Sequence, residues 1–99
     1  MLKGRCALIT GSTQGLGHAI AKRLAAEGCN IVMNGFGEAA AIDASRRGLE
    51  TEHGVSAIHH GADVADPAQI ADLVATAEKT FGGVDVLVNN AVVRHFAPV

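Results

Sequence analysis

Three glycines near the start of the chain have a spacing that favours close approach of the backbone to a ligand. Gly11, Gly15 and Gly17 lie four and two residues apart, in the stretch T-G-S-T-Q-G-L-G at 10–17. Glycine carries no side chain, so the chain can turn sharply there and leave room for a bound group. If a helix begins at this turn, its unpaired N–H groups and positive dipole end face the same place. The stretch is therefore predicted to bind a phosphate or pyrophosphate.

The glycine pattern departs from the common dinucleotide-binding motif. Gly15 and Gly17 begin a G-x-G-x-x-G sequence, but Ile20 stands where the third glycine is expected. A tight connection between a strand and a helix that binds nothing is the alternative interpretation. Polar residues that follow three other predicted strands favour binding, because they meet the turn at one edge of a sheet: Asn34, Gly61-Ala62-Asp63 and Asn89-Asn90.

Other reactive side chains suggest little chemistry. His59 and His60 are neighbours in a predicted strand, so they face opposite sides and cannot share a metal. His95 follows a loop arginine, and a lone loop histidine is usually inert. Cys6 and Cys29 begin strands that are expected to be adjacent, where buried free thiols are favoured over a disulfide. No catalytic or metal-binding residue is assigned.

Composition limits the classes of function. The chain has 99 residues, enough for one domain, and 48% of them are hydrophobic. A net charge of -2 argues against a nucleic-acid partner. The apolar runs are too short to span a membrane, and the N-terminus lacks the apolar segment of a secretion signal. These features favour a cytoplasmic protein.

Strand and helix patterns alternate along the chain. Strands are predicted at 5–10, 30–34, 55–60 and 84–88, with helices at 15–27, 38–52 and 67–81. Asp66 and Pro67 are typical of a helix start, because aspartate caps free N–H groups and proline suits the first helical position. Such alternation predicts an α/β fold: a Rossmann-like, doubly wound parallel sheet with strand order 3-2-1-4 and three helices. Ligands of such sheets bind at the carboxyl ends of the strands.

The order and spacing of these motifs resemble the short-chain dehydrogenase/reductase family across essentially the whole chain. The resemblance rests on T-G-x-x-x-G-x-G after the first strand, an aspartate after the third, and Asn89-Asn90-Ala91 after the fourth. Three short segments look most like the bacterial D-3-hydroxybutyrate dehydrogenases of that family: Leu2-Lys3-Gly4, Asn34-Gly35-Phe36-Gly37 and Gly61-Ala62-Asp63. Residues 1–99 are accordingly predicted to be the NAD-binding N-terminal half of such a domain.

The resemblance implies roles for particular residues. The glycine turn would line the adenosine ribose and pyrophosphate, Phe36 would flank the adenosine, and Asp63 would accept from the adenine amino group. Asn90 and Ala91 would run along the nicotinamide ribose. The implied cofactor-binding set is Gly11, Ser12, Thr13, Gly15, Leu16, Phe36, Asp63, Val64, Asn90 and Ala91. Two alternatives stay open, namely that Asp63 is an ordinary loop residue and that Phe36 packs in the core under its loop. Asn89 is expected to tie neighbouring strands through its amide.

The choice of cofactor depends on the end of the second strand. An acidic residue there would bond the adenosine ribose hydroxyls, whereas an arginine would pair with a 2′-phosphate. Asn34 is neutral, and no Lys or Arg occurs in the glycine turn or in residues 34–45. A 2′-phosphate would lack a counter-charge, so NAD is favoured over NADP.

Two residues differ from the family pattern. Val92 replaces the glycine of N-N-A-G, and its branched side chain is expected to crowd the cofactor. Arg94 stands where the hydroxybutyrate group has a glutamine near the substrate carboxylate. A guanidinium can bind a carboxylate with two parallel hydrogen bonds, so Arg94 is a candidate substrate-binding residue, with a solvated loop charge as the alternative.

The expected reaction is NAD-dependent oxidation of 3-hydroxybutyrate to acetoacetate, a small hydroxy acid to a keto acid. The family uses a Tyr as general acid/base with a Lys and a Ser, but this chain contains no Tyr. It is therefore expected to be inactive alone, and the full-length family member is expected to be a homo-oligomer. The alternatives are a non-catalytic nucleotide-binding or interaction module, and an NADP-dependent acetoacetyl-CoA or 3-oxoacyl reductase. One half-covered sheet face and an open fourth-strand edge are expected to favour association.

Overall fold

Four strands and three helices alternate in the computed structural model, which describes residues 2–90. The strands are β1 (Cys6–Ile9), β2 (Asn30–Asn34), β3 (Ala57–His60) and β4 (Val86–Val88). The helices are α1 (Gly15–Ala26), α2 (Ala39–His53) and α3 (Pro67–Phe81). All strand pairs are parallel, and the sheet has the order β3-β2-β1-β4. The predicted Rossmann-like topology is confirmed.

The register brings the carboxyl ends of the strands to one level. Ile9 at the end of β1 pairs with Met33 on one side and with Val88 on the other, and Met33 pairs with His59. The loops that follow these strands therefore leave the sheet at the same edge. This edge is where the polar motifs of the sequence are gathered.

Three strands begin later than predicted, β1 by one residue and β3 and β4 by two, and β1 also ends one residue earlier. At the starts of β3 and β4, a side chain takes the place of one backbone partner. Before β4, the Asp85 carboxylate accepts the N–H of Cys6 at 2.8 Å, while the backbone N–H of Asp85 donates to the carbonyl of Cys6 at 2.9 Å. Before β3, the N–H of Ser56 donates to the side-chain oxygen of Asn30 at 3.0 Å. β4 starts at Val86 and not at 84, and β3 starts at Ala57 and not at 55. The helix ends differ from the predicted ones by at most one residue.

The third helix begins as its sequence indicates. The Asp66 carboxylate accepts the N–H of Ala68 at 2.9 Å, and Pro67 occupies the first helical position. Gly82 then ends the helix in a left-handed conformation with φ 82°. Glycine adopts this conformation without steric strain, which is why it terminates helices so often.

The two faces of the sheet have different covers. Alternate residues of a strand point to opposite faces. One face packs against α1 and α2 in a cluster that includes Ala7, Ile9, Ala21, Ala25, Ile31, Met33 and Leu49. The other face packs against α3 alone, in a cluster that includes Cys6, Leu8, Val32, Leu73 and Ala77. The half-covered face expected from the sequence is therefore the one that packs against α3 alone.

Cys6 and Cys29 are buried and free, as predicted.

At the outer edge of the sheet, side chains of α2 bond the backbone of β3. Arg46 donates to the carbonyl of Ala57 at 3.2 Å, and Glu50 accepts the N–H of the same residue at 3.1 Å. These two α2 side chains thus occupy backbone groups that an edge strand would otherwise expose. Within residues 2–90, no helix is long and apolar enough to cross a membrane.

Candidate cofactor site

The glycine turn has the backbone conformation that its sequence predicts. Gly11 and Gly15 have φ values of 61° and 62°, which L side chains rarely adopt. Gly17 lies in the first turn of α1, where a Cβ atom would stand 2.1 Å from the carbonyl oxygen of Gly11. Two glycines therefore allow the turn, and the third lets α1 pack directly on it.

The start of α1 has no side chain capping it. Gln14 precedes the helix in an extended conformation and makes no capping hydrogen bond with its side chain. The first N–H groups of a helix lack partners within the helix, and together with the dipole they attract anions. Leu16 lies in this first turn and is exposed.

Ser12 is directed into the protein. Its hydroxyl donates to the carbonyl of Ile9 at 2.7 Å and accepts the N–H of Asn34 at 3.0 Å. His18 bonds the carbonyl of Ser12 through Nδ1 at 3.2 Å, so this ring nitrogen carries a proton. Ser12 is fully buried. Its side chain joins β1 to β2 beneath the turn, whereas the backbone on either side remains near the surface.

Asn34 connects three segments around the same edge. Its side-chain oxygen accepts the N–H of Gly11 at 3.3 Å, while its side-chain nitrogen donates to the carbonyls of His60 at 3.1 Å and Ala62 at 3.0 Å. The residue is 1% exposed. An amide suits this place because it offers a donor group and an acceptor group at once. Sequence analysis treated Asn34 as a determinant of cofactor choice and missed this structural role.

The segment after β2 forms one wall of a cleft. Thr13 donates its hydroxyl proton to the carbonyl of Phe36 at 3.0 Å, and His59 Nε2 lies 2.8 Å from the carbonyl oxygen of Gly35. A Cβ atom on Gly35 would meet the Thr13 hydroxyl at 2.9 Å, so glycine permits this close contact. Phe36 is 67% exposed. The alternative that Phe36 packs in the core is therefore wrong.

The opposite wall is the loop after β3. The N–H of Asp63 donates to the side-chain oxygen of Gln69 at 2.8 Å, and its carboxylate accepts the N–H of Ala65 at 2.9 Å. His60 accepts the N–H of Ala62 through Nδ1 at 3.1 Å and contacts the carboxylate of Asp72 through Nε2. Asp63 is exposed at the surface of the cleft.

The end of β4 is tied to the glycine turn by Asn90. Its N–H donates to the Thr10 hydroxyl at 3.0 Å, and its side-chain nitrogen donates to the carbonyl of Gly11 at 3.1 Å. Asn89, which we expected to connect the strands, is exposed, and the amide that connects the end of β4 to the glycine turn is that of Asn90. Predictions for Ala91, Val92 and Arg94 lie outside the described residues.

These segments enclose a cleft of about 410 Å³ at the carboxyl edge of the sheet. Five predicted residues line it, namely Gly11, Thr13, Phe36, Asp63 and Val64, with Gln14, Asn34, Gly35, Ala62 and Ala65 completing the lining. Ser12, Gly15, Leu16 and Asn90 belong to the adjoining turn and strand ends but do not line the cleft. Asp63 is the one ionisable side chain among the lining residues.

Known proteins share this sequence and this fold. A family model for short chain dehydrogenases matches residues 5–99. The D-beta-hydroxybutyrate dehydrogenase of Cupriavidus necator is 48% identical over 99 residues, which is 100% of this chain and 38% of that protein. The enzyme of the same name from Rhizobium meliloti is 48% identical over 93 residues, covering 91% of this chain and 35% of that protein. The chain thus spans little more than a third of these curated relatives.

Solved structures agree with the sequence comparison. L-sorbose reductase from Gluconobacter frateurii, in complex with NADPH and L-sorbose, superposes with a TM-score of 0.86 at 37% identity, over 93% of this chain and 35% of that one. A blue fluorescent protein from a metagenomic library, in complex with NADPH, gives a TM-score of 0.86 at 40% identity, over 99% of this chain and 40% of that one. On sequence, topology and the glycine turn together, the chain belongs to the short-chain dehydrogenase family, whose members are oxidoreductases that bind a nicotinamide cofactor.

Proposed function

We propose that residues 1–99 form the NAD-binding half of a dehydrogenase that interconverts 3-hydroxybutyrate and acetoacetate. The observation that carries the proposal is the cleft that unites the glycine turn, the Phe36 wall and the Asp63 loop at one sheet edge. The substrate class rests on the 48% identity to two D-beta-hydroxybutyrate dehydrogenases. Parallel sheets of this kind bind their ligands at this edge.

The glycine turn fits the pyrophosphate. Gly11 and Gly15 have positive φ values and no side chains, so the backbone of the turn is open to a ligand. The start of α1, which no side chain caps, supplies N–H donors. Thr13 would contribute backbone groups, since its hydroxyl already bonds within the protein. Ser12 would support the turn from beneath, because its hydroxyl, its N–H and its carbonyl all bond within the protein. Leu16 would cover one side of the ligand with its exposed side chain.

The two walls fit an adenosine. Phe36 offers an exposed aromatic ring beside the cleft. One carboxylate oxygen of Asp63 accepts from Ala65, and within residues 2–90 the other oxygen has no hydrogen-bond partner. That oxygen is suited to accept from the adenine amino group, with the backbone of Val64 beside it.

The nicotinamide end would lie along Asn90 and Ala91. Asn90 donates to Gly11 through its side-chain nitrogen, which leaves its side-chain oxygen free, among the residues described, to accept from a ribose hydroxyl. When bound, the nicotinamide would supply hydride chemistry. Arg94 would bind the substrate carboxylate. The chain contains no tyrosine, the family's proton-transfer residue, so we expect cofactor binding without turnover.

Charge supports NAD over NADP. The lining of the cleft carries the Asp63 carboxylate and no cationic side chain. Arg46 lies in a neighbouring depression beside His59, but its guanidinium is bonded to Asp43, Glu50 and the carbonyl of Ala57. A 2′-phosphate would therefore find no free guanidinium there. The solved relatives crystallised with NADPH favour, as a second candidate, an NADP-linked reductase of acetoacetyl-CoA or 3-oxoacyl substrates.

Calorimetric titration of the purified chain with NAD and NADP tests the proposal. We expect NAD to bind and NADP to bind at least about tenfold more weakly. Gly15→Val should abolish binding, and Gly54→Val is its matched control. Both glycines have similar φ values, 62° and 66°, and neither would bring a Cβ within 4 Å of another group, but Gly54 ends α2 away from the cleft.

Each outcome has a clear meaning if circular dichroism shows that both variants fold. Loss of NAD binding in Gly15→Val, with binding retained in Gly54→Val, supports the site. Tighter binding of NADP than of NAD would favour the second candidate. Binding of neither cofactor by the folded wild-type chain would overturn the proposal and leave a non-catalytic interaction module.

A further inference from the structure

We propose that His59 positions the Gly35–Phe36 segment for the adenosine end of the cofactor, without touching the cofactor itself. The inference rests on the proposed cofactor site. His59 belongs to neither the glycine turn nor the residues that line the 410 Å³ cleft. In the sequence, His59 stands out only as a neighbour of His60, with which it cannot share a metal because adjacent strand residues face opposite sides.

A single hydrogen bond connects His59 to this segment. Its Nε2 lies 2.8 Å from the carbonyl oxygen of Gly35. A carbonyl oxygen can only accept, so the proton is on Nε2 and the ring donates. His59 pairs with Met33 in the register of β2 and β3, which places its ring beside the point where the chain leaves β2.

The segment needs such a constraint. Gly35 and Gly37 flank Phe36 with φ values of 142° and 154°. Glycine has the widest conformational freedom of any residue, so fixing two of them around one aromatic residue is entropically unfavourable. His59 holds the carbonyl of Gly35, and Thr13 holds that of Phe36. Two successive carbonyls are thus fixed by two different parts of the fold.

The bond of His59 is not needed to hold the sheet. Asn34, one residue earlier, already anchors the end of β2 with its side chain bonded to Gly11, His60 and Ala62. Beyond that anchor, the segment is exposed, and Phe36 is 67% accessible. Loss of the His59 bond should therefore loosen the wall of the cleft and leave the stability of the fold nearly unchanged.

The test compares three variants at position 59. His59→Leu removes the donor, and we expect the Kd for NAD to rise by about tenfold with little change in melting temperature. His59→Gln places an amide N–H near the former Nε2 and should restore most of the affinity. His59→Glu presents an acceptor to the carbonyl and should bind no better than the leucine variant. His53→Leu, at the end of α2, is the matched histidine control.

Fragments of the cofactor locate the effect. The loss in His59→Leu should appear in full for AMP, since AMP carries the adenosine half. Nicotinamide mononucleotide should bind the variant and the wild type alike. A general loss of structure would weaken both fragments, so this split separates positioning from unfolding.

Three results would overturn the inference. One is an unchanged Kd for NAD and AMP in His59→Leu while the wild type binds both, which would leave the proposed cofactor site intact. Another is an equal loss of NAD affinity in His59→Gln and His59→Leu. The third needs no variant at all: ¹⁵N spectra of the wild-type imidazoles that show a neutral His59 with its proton on Nδ1. Failure of the wild type to bind NAD would overturn the cofactor site and this inference together.

Discussion

Asn34 is a buried polar residue whose environment decides its role. Its amide nitrogen donates to two carbonyls, and its oxygen accepts a backbone N–H, so the side chain faces protein groups and not the ribose. An aspartate at the end of the second strand is the usual partner of adenosine ribose hydroxyls. Introducing one here should nevertheless fail.

Asn34→Asp replaces a donor by a carboxylate oxygen that faces the carbonyls of His60 and Ala62. We expect the free energy of unfolding to fall by about 3 kcal/mol or more. The substitution removes the two hydrogen bonds that the amide donates, and it places a buried negative charge against two carbonyl oxygens. Urea denaturation measures this change. Asn89→Asp, at an exposed position on the same edge, is the control and should change it little. Equal effects of the two substitutions would contradict the buried role of Asn34.

Gly17 and Gly48 are both helical glycines, but they have different surroundings. A Cβ on Gly17 would lie 2.1 Å from the Gly11 oxygen and 2.6 Å from the Asn90 amide, whereas one on Gly48 would meet nothing within 4 Å. Gly17→Ala should lower the free energy of unfolding by about 1–3 kcal/mol through this overlap. Gly48→Ala should raise it by about 0.5–1 kcal/mol, since alanine favours helix. Chemical denaturation measures both changes. If the free energy of unfolding changed with the same sign in the two variants, the packing argument would be refuted.

Cys6 should make the stability of the fold depend on alkaline pH. Burial raises the pKa of its thiol from 9.0 to about 11, with a further contribution from the charge of Asp85. Because the folded pKa is the higher one, the stabilisation is complete below about pH 9 and is lost as the pH rises towards 11. Urea midpoints should fall over this range less steeply in Cys6→Ala than in the wild type. Parallel slopes would show that the thiol does not contribute.

At the scale of elements, α3 is the helix with the clearest local start signal. The Asp66 carboxylate accepts the N–H of Ala68 and bonds the side chain of Gln69. These hydrogen bonds, that of Gln69 first, hold the pKa of Asp66 below its ordinary value of 3.8. The cap also leads into the Asp63 loop, since the N–H of Asp66 donates to the carbonyl of Asp63 at 3.0 Å.

Removal of the cap should destabilise α3 in a pH-dependent way. A lowered pKa stabilises the fold above the ordinary value and loses that contribution as the pH falls through the folded value. We expect Asp66→Ala to lower the melting temperature at neutral pH. Asp66→Asn should lower it much less, because asparagine also caps helices. Thermal melts between pH 2 and 7 provide the measurement. If the melting temperature of Asp66→Asn fell with decreasing pH as much as that of the wild type, the Asp66 carboxylate would not be the source of the pH dependence.

At the scale of the whole molecule, the two sheet faces differ in how much apolar surface they leave open. Next to α3 lies a groove of about 550 Å³, lined by Leu8, Thr10, Val64, Ile70, Leu73, Val74, Leu87 and Asn89. Leu87 is 59% exposed and Ile70 is 37% exposed. Within residues 2–90, β4 pairs with β1 alone, whereas α2 side chains occupy backbone groups of the opposite edge strand. Open apolar surface beside an edge strand favours association.

Replacing Leu87 should reduce self-association of the chain. Leu87→Thr keeps a residue that suits a strand but removes most of the exposed apolar side chain. We expect the mean mass measured by light scattering to rise less steeply with concentration than in the wild type. NAD affinity should not change, because Leu87 does not line the 410 Å³ cleft. An unchanged mass profile would mean that this face does not drive association.

The sequence alone determined the elements and their order. Periodic apolar residues, the glycine turn and the Asp66-Pro67 start are local signals, and each depends on neighbours within a few positions. Alternation of strand and helix then left few parallel topologies, because crossovers are right-handed. The strand order, the faces covered by the helices and the three segments that line the cleft could therefore be predicted from the amino-acid sequence.

Only the tertiary structure decided which side chains face the cleft and which hold it together. Asn90 and not Asn89 reaches Gly11, which is 79 residues away, and Asn34 reaches Ala62, which is 28 residues away. Such contacts depend on where a strand ends relative to its neighbour, and a shift by one residue turns a side chain to the other face. The bond between His59 and Gly35 depends on the same register. No local pattern carries that information, because the partners meet only when the sheet has formed.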